Sequence, residues 1–553
     1  MKYAISAFVL LLSVFATGQT SNPTRMVDSL VAEVDSNGPG VAIGVIKDGT
    51  LISSKFKGMS NMDHNIPIDA STNFRLSSSS KQFTAACIID LIEKEQLGID
   101  DSLSKFFPEF SKNLGNVTIA QLLNHTSGIR DYMSLLMLKG SPTMDFFNNF
   151  IGTNEDLMTL IKKQDGLSFT SGSQHDYSNT NYWILGRLVQ QVTGKLLGTY
   201  AKENIFQPLG MENTFFIENR GRIVPRGASG YISECQDCEI LVYNYQSTTV
   251  GDDGVVSNMN DLTKWENEFH NPKKFSKSFW DLMLRRGELN NKKIIEYASG
   301  LIIGELEGQE MVSHSGQNPG FSSDLVRFPD SNISIIALAN QNWYDIRSYA
   351  IKIARYVLNL DIPKSKQETT NEPIKLSAEE LSRFCGDFHF LETNEYISIQ
   401  LQDNQLVYVR TNGPLSKLVP LSTSTLTFED RPNVTLHFDF KSNDKKSMLL
   451  RDGAITMNAD GYNRIALLPK ELIEYSSTYS NDELENRMSL KIENERLMFP
   501  IFGKEFTVEP LTKDKFLAMG MFTLKFKRNQ QGAIVGFDLD APRAKNIEFK
   551  RIN

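Results

Sequence analysis

A serine followed three residues later by a lysine is the feature of this 553-residue chain that is best suited to covalent chemistry. The pair is Ser78 and Lys81, and it stands directly before a run with helical spacing. One helical turn separates the two side chains, so the hydroxyl and the amino group can form a hydrogen bond. A serine is a poor nucleophile until a neighbouring group takes its proton, and lysine can do this when burial and nearby cations depress its pKa. Alone, the pair is a weak signal, since both residue types are common.

Two further polar motifs follow in the chain. A Tyr-Ser-Asn motif at residues 177–179 stands at the start of a predicted helix over residues 180–193. A His-Ser-Gly motif at residues 314–316 closes a predicted strand over residues 311–313. In this order, the three motifs resemble those of the serine β-lactamase and penicillin-recognising hydrolase superfamily. More narrowly, the chain is similar to the class C β-lactamase-related hydrolases, which include D-aminopeptidases, alkaline D-peptidases and esterases.

The resemblance implies a catalytic role for each motif. Ser78 would attack the acyl carbon and carry the covalent intermediate, while Lys81 tunes the proton chemistry of this serine. Tyr177 would pass a proton to the leaving group and later help to activate the water that releases the acyl group. Asn179 would hydrogen-bond Lys81 or the substrate amide. The oxyanion hole would use the backbone N–H groups of Ser78 and Gln317, and such donors are typically worth about 3 kcal/mol each in the transition state.

The strand that carries the His-Ser-Gly motif is expected to border the substrate, through His314, Ser315, Gly316 and Gln317. A side chain at Gly316 would block a substrate that lies along the strand edge. β-Lactamases of the superfamily usually have lysine in the position of His314, where it faces the substrate carboxylate. Histidine is mostly neutral at pH 7. We therefore expect weak carboxylate recognition by this strand and favour a peptidase or esterase over a β-lactamase.

Three hypotheses about function follow from the resemblance. The first is an acyl-serine peptidase or amidase that acts on small peptides or amides, including ones that contain D-residues. The second is an esterase with the same catalytic residues. The third is a non-catalytic protein that binds penicillin or peptides. None of them requires a metal or an organic cofactor, because the mechanism needs only side chains and water.

The N-terminus predicts export. Lys2 precedes an apolar run over residues 4–14, and small residues follow at the spacing of a cleavage site near Gly18. This is the pattern of a secretory signal peptide over residues 1–18, and the run is too short to span a bilayer. We expect a periplasmic or extracellular protein without stable membrane insertion. In such a compartment, Cys235 and Cys238 are interpreted as a small loop disulfide.

Strand and helix signals alternate over residues 19–360. A β-hairpin is predicted over residues 41–56, and helical spacing begins at Lys81 and runs to Leu97. Further helices are predicted over residues 118–124, 180–193, 261–269 and 346–358, and strands over residues 321–328 and 333–339. Strands at both ends with helices between them predict one α/β layer with a mostly helical lobe. This agrees with the β-lactamase/transpeptidase-like fold that the resemblance implies, an antiparallel sheet flanked by helices.

A polar segment with two prolines, residues 361–375, is typical of a linker. Beyond it, residues 376–553 are rich in strands and repeat themselves with a period of 91 residues, so that Leu381 and Phe388 reappear as Leu472 and Tyr479. Each half shows about four alternating strands after a short helix. The simplest expectation is one antiparallel, lipocalin-like barrel of eight strands closed by the two halves, and two separate small barrels are the alternative. The fold class is therefore α/β followed by all-β.

Composition excludes several classes of protein. The chain has 58 Lys and Arg against 66 Asp and Glu, a net charge of -8, whereas a nucleic-acid binder needs a basic surface. Aromatic residues make up 10% of the chain, which argues against disorder. We expect a small-molecule or peptide substrate and no nucleic-acid partner. The sequence leaves the oligomeric state open.

Overall fold

The computed structural model describes most of the chain, namely residues 23–140, 152–219, 221–233, 238–243, 249–341, 343–360, 373–390, 395–410, 415–431, 434–440, 446–452, 455–463 and 465–552. The predicted signal peptide, residues 1–18, and all but the last three residues of the predicted linker lie outside the described residues. Among the described helices, none is long and apolar enough to cross a membrane.

The N-terminal domain is built around a six-stranded antiparallel sheet, whose strands follow the order β10 (Ile302–Leu306), β11 (Gln309–Asn318), β12 (Phe321–Phe328), β13 (Ile333–Ala339), β1 (Val41–Lys47) and β2 (Thr50–Lys57). Its first two strands thus pair with the last strands of the domain, as the sequence predicts. The strands of the domain are β1 (Val41–Lys47), β2 (Thr50–Lys57), β3 (Met59–Asn61), β4 (Ile66–Pro67), β5 (Phe74–Arg75), β6 (Phe215–Phe216), β7 (Gly230–Ile232), β8 (Leu241–Tyr243), β9 (Val255–Ser257), β10 (Ile302–Leu306), β11 (Gln309–Asn318), β12 (Phe321–Phe328) and β13 (Ile333–Ala339).

Helices cover both faces of this sheet. Along β1, Val41, Ile43 and Val45 pack with α1 and α11, while Ala42 and Ile46 face the main core beneath the helical lobe. This alternation explains why β1 is apolar on both faces. The helices of the domain are α1 (Pro23–Val31), α2 (Lys81–Glu93), α3 (Lys112–Gly115), α4 (Ile119–Leu123), α5 (Tyr132–Lys139), α6 (Asn154–Lys162), α7 (Asn179–Thr193), α8 (Leu197–Ala201), α9 (Met259–His270), α10 (Lys277–Met283) and α11 (Ile346–Val357).

The C-terminal region forms two closed eight-stranded barrels, and the expectation of one shared barrel is wrong. Each half has eight strands, about twice the number that the sequence pattern indicates, because the strands are short, at four to nine residues. A half with eight strands can close on itself and fill its own interior. The first barrel follows α12 (Ala378–Ser382) and contains β14 (Gly386–Phe390), β15 (Tyr396–Gln402), β16 (Gln405–Arg410), β17 (Ser416–Pro420), β18 (Thr425–Phe428), β19 (Val434–Phe440), β20 (Lys446–Asp452) and β21 (Ile455–Tyr462).

The second barrel repeats this arrangement. It follows α13 (Pro469–Leu472) and contains β22 (Ser477–Asn481), β23 (Asn486–Glu493), β24 (Arg496–Ile501), β25 (Lys504–Thr512), β26 (Lys515–Ala518), β27 (Phe522–Arg528), β28 (Ile534–Ala541) and β29 (Ala544–Ile552). The two halves of the sequence repeat are therefore the two barrels. Among the described residues, buried apolar side chains form a core in each barrel.

Candidate active site

Ser78 lies on a 3-10 turn, Ser77–Ser80, that leads into α2. Ser77 has a φ of 49°, a conformation that is strained for a residue with a side chain. The turn is fixed against the sheet, because the Ser323 hydroxyl donates to the carbonyl of Leu76 at 2.7 Å and the Ser79 hydroxyl donates to the carbonyl of His314 at 3.0 Å. Ser78 itself is half-buried. The turn thus holds Ser78 against the sheet.

Lys81 is completely buried, and its amino group donates three hydrogen bonds. The acceptors are the hydroxyl oxygen of Ser78 at 3.2 Å, Oδ1 of Asn179 at 3.0 Å and the carbonyl of Asp252 at 2.7 Å. An ammonium group has three donors, so every one of them is used. The structure therefore brings Ser78, Lys81 and Asn179 together. Of the two partners expected for Asn179, Lys81 or the substrate amide, the structure shows the hydrogen bond to Lys81.

Tyr177 stands over the same lysine. Its ring centre lies 4.8 Å from Nζ of Lys81 and 4.3 Å from the ring of His125. On the side of the second barrel, the guanidinium carbon of Arg543 lies 5.0 Å from the same ring centre. The ring of Tyr177 thus lies close to two cationic side chains, those of Lys81 and Arg543.

The His-Ser-Gly motif lies within β11 rather than at its end, and its glycine faces the nucleophile turn. A Cβ at Gly316 would come within 2.2 Å of the carbonyl oxygen of Leu76 and 2.8 Å of the backbone nitrogen of Ser78. The strand and the turn therefore touch at this residue. Glycine is required here because a side chain would clash with the turn, which is a more direct reason than the free substrate path that the sequence suggests. The contact places the backbone of β11 next to the backbone N–H of Ser78.

Ser315 and Gln317 point to the opposite face of the sheet. Ser315 pairs with Asp324 across the strands, and both side chains line a cavity of about 310 Å³ on the α11 side, together with Arg347. Asp324 accepts two hydrogen bonds from Arg347, each 3.0 Å long. The side chains of Ser315 and Gln317 thus lie away from Ser78, and only the backbone of these residues faces the nucleophile turn.

His314 is buried and has partners for both ring nitrogens. Nδ1 lies 2.7 Å from the carbonyl of Ser315, and Nε2 lies 2.9 Å from the hydroxyl of Tyr297. A carbonyl only accepts, so Nδ1 carries the proton and Tyr297 donates to Nε2. Burial, reinforced by the positive charge of Lys81, lowers the pKa of His314 to about 3. The histidine is therefore neutral and turned into the protein.

Four residues that shape the site were not predicted as site residues from the sequence: His125, Asp252, Tyr297 and Arg543. Burial holds the pKa of His125 well below its usual range, and Nδ1 of this histidine accepts the backbone N–H of Ser178 at 3.3 Å. Burial also raises the pKa of Asp252 to about 7, although the charge of Lys81 opposes the shift. The segments over residues 122–128 and 251–257 are also similar to the superfamily, a likeness that could have marked His125 and Asp252. No sequence signal marks Tyr297 or Arg543.

The structure describes three of the four cysteines. Cys87 and Cys385 are free thiols, and burial raises the pKa of the Cys87 thiol well above its usual range. Cys238 is disulfide-bonded. Its predicted partner, Cys235, lies outside the described residues.

The fold and the serine–lysine–tyrosine site define a class of serine hydrolase. The Beta-lactamase family matches residues 25–354, more than half of the chain, and the chain belongs to this family. It is a serine hydrolase of the β-lactamase-related type, as its motifs predict.

Individual relatives extend the likeness beyond the first domain. The D-aminopeptidase of Brucella anthropi is 22% identical over 557 residues, which cover 96% of this chain and 99% of that protein. Penicillin-binding protein 4* of Bacillus subtilis (strain 168) is 28% identical over 431 residues, which cover 73% of this chain and 91% of that protein. Among solved structures, the octameric penicillin-binding protein homologue from Pyrococcus abyssi matches with a TM-score of 0.55 and 22% identity over 78% of this chain and 99% of its own.

Proposed function

We propose that this protein is an exported hydrolase that cleaves amide bonds in small peptides or amides, with D-residues among its acyl groups, through an acyl intermediate on Ser78. The observation that carries the proposal is the position of Nζ of Lys81, 3.2 Å from the Ser78 hydroxyl oxygen and fully buried. A cation held there stabilises negative charge as it develops on the serine oxygen.

The site residues provide each step of such a reaction. The Ser78 oxygen bonds to the acyl carbon as its proton passes to the Tyr177 oxygen, and the backbone N–H of Ser78 faces the carbonyl oxygen. The proton of the Tyr177 hydroxyl passes to the leaving nitrogen as the C–N bond breaks. A water molecule then attacks the acyl carbon, its proton passes through Tyr177 to the Ser78 oxygen, and the ester bond to Ser78 breaks to release the carboxylic acid.

Two observations favour amides with D-residues over β-lactams. A relative that matches almost the whole chain is named a D-aminopeptidase. In addition, His314 is neutral and hydrogen-bonded to Tyr297, so β11 offers a β-lactam carboxylate no cation at the position where β-lactamases usually place a lysine.

The first test is intact-protein mass spectrometry after treatment with a fluorophosphonate. One adduct on the wild type that is absent from Ser78→Ala would establish Ser78 as an activated nucleophile. Ser54→Ala is a matched control, because Ser54 is an exposed serine on β2 of the same domain, and this variant should keep the adduct. A folded wild type without an adduct would contradict the proposal.

Substrate class is tested with D- and L-alaninamide and the corresponding methyl esters. We expect turnover of the D-amide that disappears in Ser78→Ala. Strong ester turnover with no detectable amide turnover would make the protein an esterase. Binding without turnover of any substrate would favour the non-catalytic hypothesis.

Export is tested separately by the mass of the mature protein. Expression in a Gram-negative host should give a periplasmic protein that begins near Gln19. Recovery of the full chain from the cytoplasm would contradict this part of the proposal.

A further inference from the structure

Arg543 brings a positive charge from the second barrel to the catalytic tyrosine. It lies between β28 and β29, and its guanidinium carbon stands 5.0 Å from the centre of the Tyr177 ring. The residue is exposed, and within the described part of the chain its side chain forms no ion pair. A cation at the active site without a carboxylate partner of its own is open to a ligand.

Hydrogen bonds to the first domain hold the turn of Arg543 in place. The backbone N–H of Asp131 donates to the carbonyl of Arg543 at 2.9 Å, and the Ser134 hydroxyl donates to the carbonyl of Pro542. The carboxylate of Asp131 in turn accepts the backbone N–H of Asn179 at 2.7 Å. The position of Arg543 is therefore tied to the segment that also orients a ligand of Lys81.

The backbone at Arg543 is unfavourable for an arginine. Ala541 pairs with Ala544, so Pro542 and Arg543 are the two central residues of a tight turn. Arg543 has a φ of 59°, a conformation that favours Gly or Asn at the second central position. Strain at a residue whose side chain faces a catalytic group suggests a function for that side chain.

We propose that Arg543 binds a carboxylate on the leaving group and so selects peptides in which the released residue carries a free C-terminal carboxylate. This inference rests on the proposed function. Tyr177 is the group that returns a proton to the leaving nitrogen, and the α-carboxylate of a released amino acid is two bonds from that nitrogen. A guanidinium beside the Tyr177 ring can therefore reach it, and guanidinium–carboxylate pairs are strong and directional. The second barrel would thus provide a cation for the substrate carboxylate, which the neutral His314 does not provide.

The test compares D-alanyl-glycine with D-alanyl-glycinamide, which differ only in the terminal carboxylate. For the wild type we expect kcat/KM to favour the carboxylate by about 10- to 100-fold, the range of a hydrogen bond to a charged group. The ratio should fall close to one in Arg543→Gly and stay intermediate in Arg543→Lys.

Two controls accompany this comparison. Arg543→Gly removes the backbone strain, so its thermal midpoint should be unchanged or higher, which separates loss of selectivity from loss of folding. Arg496→Ala, an exposed arginine of the same barrel, is the charge-matched control and should keep the wild-type ratio.

Two outcomes would overturn the role of Arg543 and leave the hydrolase intact. One is a wild-type ratio near one while D-alaninamide is hydrolysed. The other is an equal loss on both dipeptides in Arg543→Gly, which would show that the arginine only supports Tyr177. The same dipeptides are also used as competitors of fluorophosphonate labelling at Ser78. If the wild type hydrolyses no D-amide, the proposed function fails. The role of Arg543 is then decided by whether D-alanyl-glycine slows labelling more strongly than D-alanyl-glycinamide in the wild type but not in Arg543→Gly.

Discussion

Arg130 of the hydrolase domain is buried and donates to the carboxylate of Glu483 in the second barrel. The same arginine donates to the barrel carbonyls of Lys545 at 3.0 Å and Asn546 at 2.5 Å. The neighbouring residue, Asp131, accepts the backbone N–H of Asn179, which in turn is a ligand of Lys81. The barrel is thus joined directly to the segment that orders the active site.

This junction predicts that Glu483→Gln destabilises the protein. Glu483 also accepts the backbone N–H groups of Asp165 and Gly166, at 2.9 and 3.1 Å. Loss of its charge beside the buried Arg130 should reduce the free energy of unfolding by about 1.5–3 kcal/mol, as measured by denaturant unfolding. Glu485→Gln is the matched control, because its pairs with Lys139 and Lys163 are exposed to solvent and should contribute little to stability. Equal effects of the two substitutions would argue against a structural junction at Glu483.

The contact of β11 with the nucleophile turn predicts that Gly316→Ala is disruptive. The added Cβ would lie 2.2 Å from the carbonyl of Leu76, and overpacking of this kind costs about 1–3 kcal/mol. The rate of fluorophosphonate labelling at Ser78 should fall as well. Gly304→Ala, on β10 of the same sheet, meets no atom within 4 Å and should be neutral or slightly stabilising. Normal stability and labelling in Gly316→Ala would show that the strand can move away from the turn.

Removal of the Tyr177 hydroxyl should affect amides more than esters. An amine leaves only when it is protonated, whereas an alcohol leaves more easily, and general acid catalysis is worth about 10²- to 10⁴-fold. We expect kcat of Tyr177→Phe to fall within this range on D-alaninamide and clearly less on the methyl ester. Tyr182→Phe is the control, because the Tyr182 ring also lies near Lys81, at 5.8 Å, but its hydroxyl donates to the carbonyl of Leu123. Parallel losses on amide and ester would remove Tyr177 from the step that releases the leaving group.

His314 should remain neutral across the physiological range. Its pKa in the folded protein is lowered to about 3, so its ring protons should show no titration by NMR between pH 5 and pH 8. The unfolded chain binds a proton near pH 6.5 and the folded chain does not, so this residue lowers stability as the pH falls from 6.5 towards 3. A His314 titration midpoint near 6.5 would contradict the buried, Tyr297-bonded state.

Asp252 should have the opposite effect. Burial raises its pKa to about 7, so the folded protein holds a proton that the unfolded chain releases near pH 4. Its contribution to stability is therefore lost as the pH rises from 4 to 7. Asp252→Asn keeps an acceptor for Tyr132, whose hydroxyl donates to Oδ2 at 2.8 Å, and removes the buried charge. We expect the difference in thermal midpoint, Asp252→Asn minus wild type, to become more positive as the pH rises from 5 to 8. A difference that does not change with pH would contradict the raised pKa of Asp252.

The sequence by itself identified the serine–lysine, Tyr-Ser-Asn and His-Ser-Gly motifs, the family to which they point and most elements of the first domain. The strands Phe321–Phe328 and Ile333–Ala339 were predicted with the bounds that the structure has, because apolar runs between turn residues specify buried strands locally. The start of α2 at Lys81 was equally clear, although the helix ends at Glu93, before Gly98. The 91-residue repeat identified two related halves, but the shortness of the strands concealed that each half is a complete barrel.

Only the tertiary structure decided what surrounds the motif. The neutral state of His314 depends on burial and on Tyr297, and the direction of Ser315 and Gln317 depends on the register of β11 with β12. Arg543 lies more than 300 residues after Tyr177 and reaches it only because the second barrel docks on the first domain. Local sequence patterns encode hydrogen bonds and apolar faces within an element, whereas contacts between distant segments depend on how complete domains pack.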